Sequence, residues 1–198
     1  MSSTRREHIL DATRELIVRD GYASVSMHAI ARAAGLTRPA VYAEFGDRDS
    51  LFDALLDREE QRALLMAAAA LPEIEPGTDP TGVALRAADM FLDVVLAAPE
   101  TWRFVLMPGE GMPHAAHERV AGGRDALRVR VRAVLELVAA LGEREIDAEV
   151  FSYAVISASE TAARLVLAEG GSARRDAVAT TLHWLTRRAV AAAGVGKS

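Results

Sequence analysis

The amino-acid sequence predicts an all-α protein, and two features of its composition support this. The chain is rich in Ala, Leu, Val, Arg and Glu and has few aromatic residues (5%). It shows no sustained alternation of apolar and polar residues, so no strand is expected. Its 198 residues are enough for two helical domains with their own cores. We predict a helix-turn-helix domain over residues 1–47 and a C-terminal helical bundle over residues 48–198.

The first predicted helix begins near the N-terminus and ends at Gly21. Thr4 and Glu7 have the spacing of a capping box. The helix carries an apolar stripe with the spacing of one helix face: Ile9, Leu10, Thr13, Leu16 and Ile17. The hydroxyl of Thr13 is expected to bond to a carbonyl one turn earlier, which lets its methyl group pack inward.

Residues 26–45, SMHAIARAAGLTRPAVYAEF, have the pattern of two short helices joined by a tight turn. Ser26 is placed to cap the first helix, and Gly35 is placed to end it with a positive φ angle. Thr37 caps the second helix, whose first turn accepts Pro39 because an N–H there has no partner within the helix. The buried positions are expected to be Ile30, Ala31, Ala34, Val41 and Phe45. This pattern predicts a helix-turn-helix.

The remaining face of the second helix carries side chains suited to DNA. The predicted DNA-binding residues are Ser26, Thr37, Arg38, Pro39, Ala40, Tyr42, Ala43, Glu44 and Arg48. Thr37, Tyr42 and Arg48 are expected to hold phosphates. Arg38 and Ala40 are expected to face base edges.

Residues 7–55 resemble the tetracycline-repressor (TetR) family of bacterial transcription regulators. The resemblance rests on the IAxxAG pattern at residues 30–35, on Val41-Tyr42 followed by Phe45, and on the link GDRD at residues 46–49. It implies a homodimer that binds pseudo-palindromic operator DNA and a C-terminal domain that binds a small-molecule effector. Glu44 departs from the family, which usually carries His or Tyr at this place.

The charge of the chain argues against a nucleic-acid partner. The net charge is −5, and residues 1–52 contain seven Arg against seven acidic residues. The DNA prediction therefore depends on where the Arg residues lie. For Arg5 and Arg6, a phosphate contact and a solvated surface are equally compatible with the sequence. The neutral N-terminal domain and Glu44 favour the alternative, an all-α ligand-binding or protein-interaction module without DNA binding.

The C-terminal part is predicted to contain a connecting helix over residues 48–70, a loop, and helices over residues 83–97, 114–141, 147–169 and 173–193. Pro99 starts a further apolar segment. Gly170 and Gly171 mark a stop, and Ser172 is predicted to cap the last helix. Large apolar side chains are the candidates to line an effector cavity, with ordinary core as the commoner role: Met90, Phe91, Trp102, Phe104, Met107 and Met112.

The last two helices are the predicted dimer interface. Ala154, Ala158 and Ala162 recur every four residues, which allows a second helix to approach closely. The full predicted set is Ala154, Ala158, Thr161, Ala162, Leu182, Leu185 and Ala189. A helix-turn-helix protein generally binds two half-sites with two-fold symmetry, so a homodimer is expected.

Several function classes are not expected. The chain has no Cys, and its polar start lacks the apolar core of a signal peptide, so we expect a cytoplasmic protein without a membrane span. No catalytic motif occurs, so an enzyme is not predicted. His114 and His117 have a usable metal spacing, but no third ligand is indicated, and neither metal nor cofactor is expected.

Overall fold

The computed structural model of the chain is built from helices. It describes residues 2–71, 79–107, 114–141, 147–168 and 170–193. The α-helices in these ranges are α1 (Ser2–Asp20), α2 (Met27–Ala33), α3 (Arg38–Phe45), α4 (Arg48–Ala69), α5 (Pro80–Ala97), α6 (Pro99–Leu106), α7 (His114–Leu141), α8 (Ala148–Leu167) and α9 (Arg175–Ala193). Short 3₁₀ helices lie at Tyr22–Ser24 and Gly171–Arg174. No strand occurs among the described residues, which confirms the all-α prediction.

Most helix boundaries agree with the sequence-based prediction. Helix α7 has both predicted ends, and α1 ends before Gly21, whose φ angle is 76°. Helix α5 begins earlier than predicted because Asp79 caps it. The Asp79 carboxylate accepts hydrogen bonds from the backbone N–H groups of Thr81 at 3.0 Å and Gly82 at 2.8 Å.

Two predicted helix caps are wrong. Helix α1 already begins at Ser2, so Thr4 lies inside it, and Glu7 forms an ion pair with Arg58 at 2.8 Å instead of closing a capping box. Ser172 lies within the second 3₁₀ helix and does not cap α9. This segment packs tightly on the end of α8, since a Cβ added to Gly171 would overlap the carbonyl oxygen of Leu165.

The chain divides into two compact units. The first unit comprises Met1–Ala63 and Glu100–Ala121, and the second comprises Leu64–Pro99 and Gly122–Ser198. Helices α4 and α7 each contribute residues to both units. These packing units differ from the predicted domains, because α6 belongs almost entirely to the first unit. The functional boundary near residue 48 stays a prediction.

The core of the first unit joins α1, the helix-turn-helix, the start of α4 and α6. Its most buried large side chains are Ile9, Leu10, Ile17, Val25, Ile30, Val41, Leu51, Leu55 and Phe104. Burial of one such side chain contributes about 1.5–3 kcal/mol. The predicted stripe of α1 is confirmed, and so is the Thr13 hydrogen bond, in which the hydroxyl donates to the carbonyl oxygen of Ile9 at 2.7 Å.

In the second unit, α5, α8 and α9 pack together around a smaller core. Val83, Leu92 and Val95 of α5 are buried, as is Val166 of α8. Arg175 at the start of α9 donates a hydrogen bond to Asp93 of α5 at 2.7 Å. This contact raises the pKa of the Arg175 guanidinium above its ordinary value. A surface ion pair of this kind orients the two helices more than it stabilises them.

Candidate DNA-binding site

The turn between α2 and α3 has the geometry that the sequence predicted. The hydroxyl of Ser26 accepts a hydrogen bond from the backbone N–H of Ala29 at 3.2 Å. Gly35 ends α2 with a φ angle of 63°, which residues with a Cβ rarely adopt. The N–H of Leu36 then donates to the carbonyl oxygen of Ala31 at 2.9 Å and closes the turn.

Burial divides α3 into a core face and an outer face. Val41 and Phe45 are buried, as predicted. On the rest of the helix, Arg38, Pro39, Tyr42 and Ala43 are exposed, while Ala40 and Glu44 are half-buried. The exposed face combines a guanidinium, a phenol and small side chains, which is a surface that fits a DNA groove.

The nine predicted DNA-binding residues all lie in the first unit, on or beside this helix-turn-helix. Thr37 occupies the cap position of α3 with extended backbone, but its side chain makes no capping hydrogen bond. Pro39 lies in the first turn of α3, as predicted. Arg48 begins α4 and lies 3.8 Å from the carboxylate of Asp49. The DNA contacts of these residues remain predictions.

Arginine side chains lie over aromatic rings at three places in the first unit. The guanidinium carbon of Arg38 is 5.9 Å from the ring centroid of Tyr42, and that of Arg48 is 5.3 Å from the centroid of Phe52. The third is Arg6 of α1, whose guanidinium carbon lies 4.5 Å from the centroid of the Phe45 ring. Stacking on a ring holds the planar guanidinium while leaving its N–H groups available. Sequence analysis did not predict the Arg6 contact, because it joins residues far apart in the chain.

Three other arginines of this unit form ion pairs with one buried carboxylate. Glu59 of α4 is fully buried, and its Oε1 lies 2.7 Å from Arg58 and 3.3 Å from both Arg14 and Arg62. Its Oε2 accepts a hydrogen bond at 2.6 Å from the hydroxyl of Thr101 in α6. Glu7 and Asp11 add further ion pairs around the same arginines. Removing one partner of such a buried cluster is costly, because charges are left uncompensated.

The arginines of the first unit fall into two groups, those that form ion pairs and those that do not. Arg14, Arg58 and Arg62 pair with carboxylates in the Glu59 cluster, and Arg19 pairs with Asp20 at 2.5 Å. Among the arginines of this unit whose side chains the structure describes, those that form no ion pair with a described residue are Arg5, Arg6, Arg32 and Arg38. The zero net charge of residues 1–52 therefore combines arginines that are paired with carboxylates and arginines that are not. Two of the unpaired guanidiniums lie on aromatic rings of α3.

The predicted effector-binding residues do not fall in one unit. Met90, which is exposed, and Phe91 belong to the second unit. Trp102 and Phe104 are buried in the first unit, where Phe104 lies 5.9 Å from Tyr22, centroid to centroid. Met107 is exposed, and Met112 lies outside the described residues. Phe104 is thus a core residue of the helix-turn-helix unit.

The predicted dimer residues lie on α8 and α9, mostly at the surface. Ala154, Thr161 and Leu185 are exposed and Ala158, Leu182 and Ala189 are half-buried, but Ala162 is buried within its own unit. Larger exposed side chains that the sequence analysis left out lie on the same helices: Val150, Tyr153, Leu165 and Trp184. Val150 and Tyr153 are three residues apart, and Leu165 follows the predicted Thr161 by four residues, so helical spacing is the signal that would have found these three.

The side chains of His114 and His117 lie outside the described part of the structure. Among the side chains that are described, no group of three His, Asp or Glu residues is placed to hold a metal ion. Helix α8 is the one described helix with the length and apolar content of a membrane span. It also carries Glu149, Glu160 and Arg164, which form ion pairs on its surface.

This arrangement of an N-terminal helix-turn-helix followed by a helical unit defines a class of DNA-binding regulators. Residues 9–55 match the family model described as bacterial regulatory proteins, tetR family. Over nearly its whole length, the chain is similar to a solved TetR-like transcriptional regulator from Rhodococcus sp. RHA1. The two share 30% sequence identity with a TM-score of 0.69, and the match covers 94% of this chain and 96% of that one. The chain belongs to the TetR family.

Other relatives match a shorter segment or the fold alone. The HTH-type transcriptional regulator AcrR of Shigella flexneri is 42% identical over 55 residues, which are 28% of this chain and 26% of that protein. An HTH-type transcriptional repressor from Mycobacterium tuberculosis is 35% identical over 65 residues, 33% of this chain and 35% of that protein. The chain thus spans about a quarter to a third of these curated relatives. The fatty acid degradation regulator FadR from Bacillus halodurans shares the fold, with a TM-score of 0.74, 14% identity, and coverage of 92% of this chain and 94% of that one.

Proposed function

We propose that the chain is a cytoplasmic, ligand-responsive transcriptional repressor that binds pseudo-palindromic operator DNA as a homodimer. The observation that carries this proposal is the outer face of α3, where Arg38 and Tyr42 are exposed beside a closed turn. An α-helix of this kind fits the major groove of B-DNA, where an arginine can donate two hydrogen bonds to guanine. Membership of the TetR family supports the same reading.

Dimer formation, as part of this proposal, is supported by the needs of the DNA site and by the surface of the second unit. Two recognition helices read half-sites about 34–36 Å apart, one turn of DNA, when a two-fold axis relates them. Helices α8 and α9 expose Tyr153 and Trp184 at 53% and 58% of their full area. Large apolar side chains at such exposure are typical of a surface that a partner covers.

Helix α6 is the element through which we expect an effector to act. Its Thr101 donates a hydrogen bond to Glu59, and its Phe104 packs in the core of the helix-turn-helix unit. An effector that binds better when α6 is displaced would shift the population away from the DNA-binding conformation. If the effector binds the conformation that does not bind DNA 100-fold more tightly, this preference corresponds to about 2.7 kcal/mol.

The alternative of an all-α module without DNA binding is not favoured. Its main support is the zero net charge of residues 1–52. Despite this zero net charge, two arginines without a described carboxylate partner lie on the rings of α3. A DNA-binding surface needs clustered cationic side chains and not a basic domain as a whole.

A gel-shift assay tests the proposal. The purified protein is titrated against the DNA upstream of its own gene and against a random duplex of equal length at matched salt. We expect a discrete complex with the upstream DNA at a concentration at least about 1,000-fold below that needed for the random duplex. Equal affinity for both duplexes, or no complex with either at low salt, would contradict the proposal.

A further inference from the structure

Arg6 occupies a position that the fold of the first unit specifies closely. It lies in the second turn of α1, next to Ile9 and Leu10, which are almost completely buried. One ring nitrogen of the nearby His8 lies 2.9 Å from the carbonyl oxygen of Ala34, the last residue before the turn glycine. The start of α1 is thereby tied to the end of α2, and Arg6 is placed against the recognition helix.

The ring beneath Arg6 is itself held in place. Phe45 is the last residue of α3, and its side chain is buried in the core of the unit. The guanidinium carbon of Arg6 lies 4.5 Å from the centroid of this ring, which is the distance of a stacked cation. No described carboxylate forms an ion pair with Arg6. Its charge is therefore available to another partner.

We propose that Arg6 is a phosphate-binding residue that lies outside the helix-turn-helix and uses Phe45 as its stacking platform. This inference rests on the proposed DNA-binding function. A guanidinium held over a ring is well suited to a phosphate, because its N–H groups form a rigid fork that matches two phosphate oxygens. A phosphate contact positions the protein without reading sequence, so Arg6 adds affinity for operator and random DNA alike.

The test is the salt dependence of DNA binding, measured by fluorescence anisotropy with an operator duplex and a random duplex between about 50 and 200 mM KCl. For Arg6→Gln we expect about 10-fold weaker binding to both duplexes at low salt, as for loss of one charged hydrogen bond. We also expect the slope of log K against log salt to decrease in magnitude by about 0.9 for each protomer bound. Arg19→Gln is the matched control, because it removes one positive charge from the same helix where Arg19 is paired with Asp20. Its slope should equal that of the wild type.

Two further variants separate phosphate binding from a structural role. Arg6→Lys keeps the charge and so should keep the slope, but it should bind both duplexes several-fold more weakly, because an ammonium group cannot form the planar fork. Phe45→Leu keeps an apolar core residue while removing the ring, and it should reproduce the affinity loss of Arg6→Lys. Thermal unfolding of each variant shows that the helix-turn-helix remains folded.

The outcomes distinguish this inference from the proposed function. An unchanged slope and affinity for Arg6→Gln, in a protein that still prefers its operator, would overturn the role of Arg6 and leave the repressor function intact. A loss confined to the operator would also overturn it, since that result means base readout. Failure of the wild type to bind either duplex at low salt would overturn both.

Discussion

The two units of the chain differ in how completely they bury their apolar side chains. In the first unit, the exposed large apolar side chains among the described residues are Tyr42 and Met107. In the second unit they are Leu65, Met90, Val129, Leu137, Val150, Tyr153, Leu165, Trp184 and Leu185. The first unit thus has a core that one chain completes, and its exposed chemistry is suited to DNA. The second unit leaves exposed several large apolar side chains, a kind of surface that partners cover in oligomeric proteins.

This difference predicts two kinds of stability. The first unit should unfold at a midpoint set by its internal contacts. The second unit should be stabilised by dimer formation, so its unfolding should depend on protein concentration.

The largest effect is expected when the carboxylate of the first unit's cluster is removed. Glu59→Ala leaves Arg14, Arg58 and Arg62 partly buried without their shared partner and should lower the free energy of unfolding by about 3–5 kcal/mol. Urea unfolding followed by circular dichroism measures this change. Thr101→Val, which removes only the hydrogen bond to Oε2, should cost about 1–3 kcal/mol. Equal costs for the two variants would contradict the central role of Glu59.

The next largest effect concerns the exposed apolar surface of the second unit, where we propose that the dimer forms. Ala158→Arg places a charge in the proposed small-residue contact of α8 and should raise the dissociation constant of the dimer at least about 100-fold, or 2.7 kcal/mol. Sedimentation velocity measures the oligomeric state. Ala97→Arg, at an exposed position of α5, is the control and should leave the dimer intact. A folded, dimeric Ala158→Arg protein would place the interface elsewhere.

A smaller effect is expected on the outer face of α3. Arg38→Ala should weaken operator binding by about 1–3 kcal/mol and relax the preference at one base pair, since a base-reading arginine specifies sequence. Binding to a library of single-substitution operators measures both quantities. Uniform weakening on every duplex would instead assign Arg38 to phosphate. The fold should be unaffected, because Arg38 is exposed and forms no ion pair with a described residue.

The same contrast explains what could be predicted from the sequence. The helix-turn-helix was predictable because its signals are local: Ser26 caps its helix, Gly35 takes a positive φ angle, and Val41 is buried at the predicted position. The Glu59–Thr101 hydrogen bond and the Arg6–Phe45 stack were not predictable, because each joins residues about 40 positions apart in the chain. Propensity and spacing carry no information about such pairs.

The errors had equally physical causes. The predicted capping box at Thr4 does not form, because Glu7 pairs with the partly buried Arg58 on another helix. A charged arginine is a stronger partner for a carboxylate than a backbone N–H. Phe104 is a case that sequence leaves open, because bulky apolar side chains suit a cavity or an ordinary core; its burial in the core of the first unit agrees with the commoner role. The predicted interface on α8 contains its small residues but lacks the exposed Val150 and Tyr153, because the prediction depended on the spacing of small side chains.

The smallest expected effect belongs to Glu44, the half-buried acid in the last turn of α3. If its carboxylate lies near phosphate, Glu44→Gln removes a repulsion and should tighten operator and random duplexes alike by about 2- to 3-fold at low salt, and this gain should shrink as salt screens the charge. If the carboxylate instead accepts a hydrogen bond from cytosine N4, the same change should weaken operator binding alone. We expect the first result, because the guanidiniums of Arg6 and Arg38 lie on rings of the same helix and draw phosphates toward this surface. Affinities measured across salt for both duplexes decide between the two. Unchanged affinities would mean that Glu44 has no part in DNA binding, and the contrast between the units would then depend on the arginines alone.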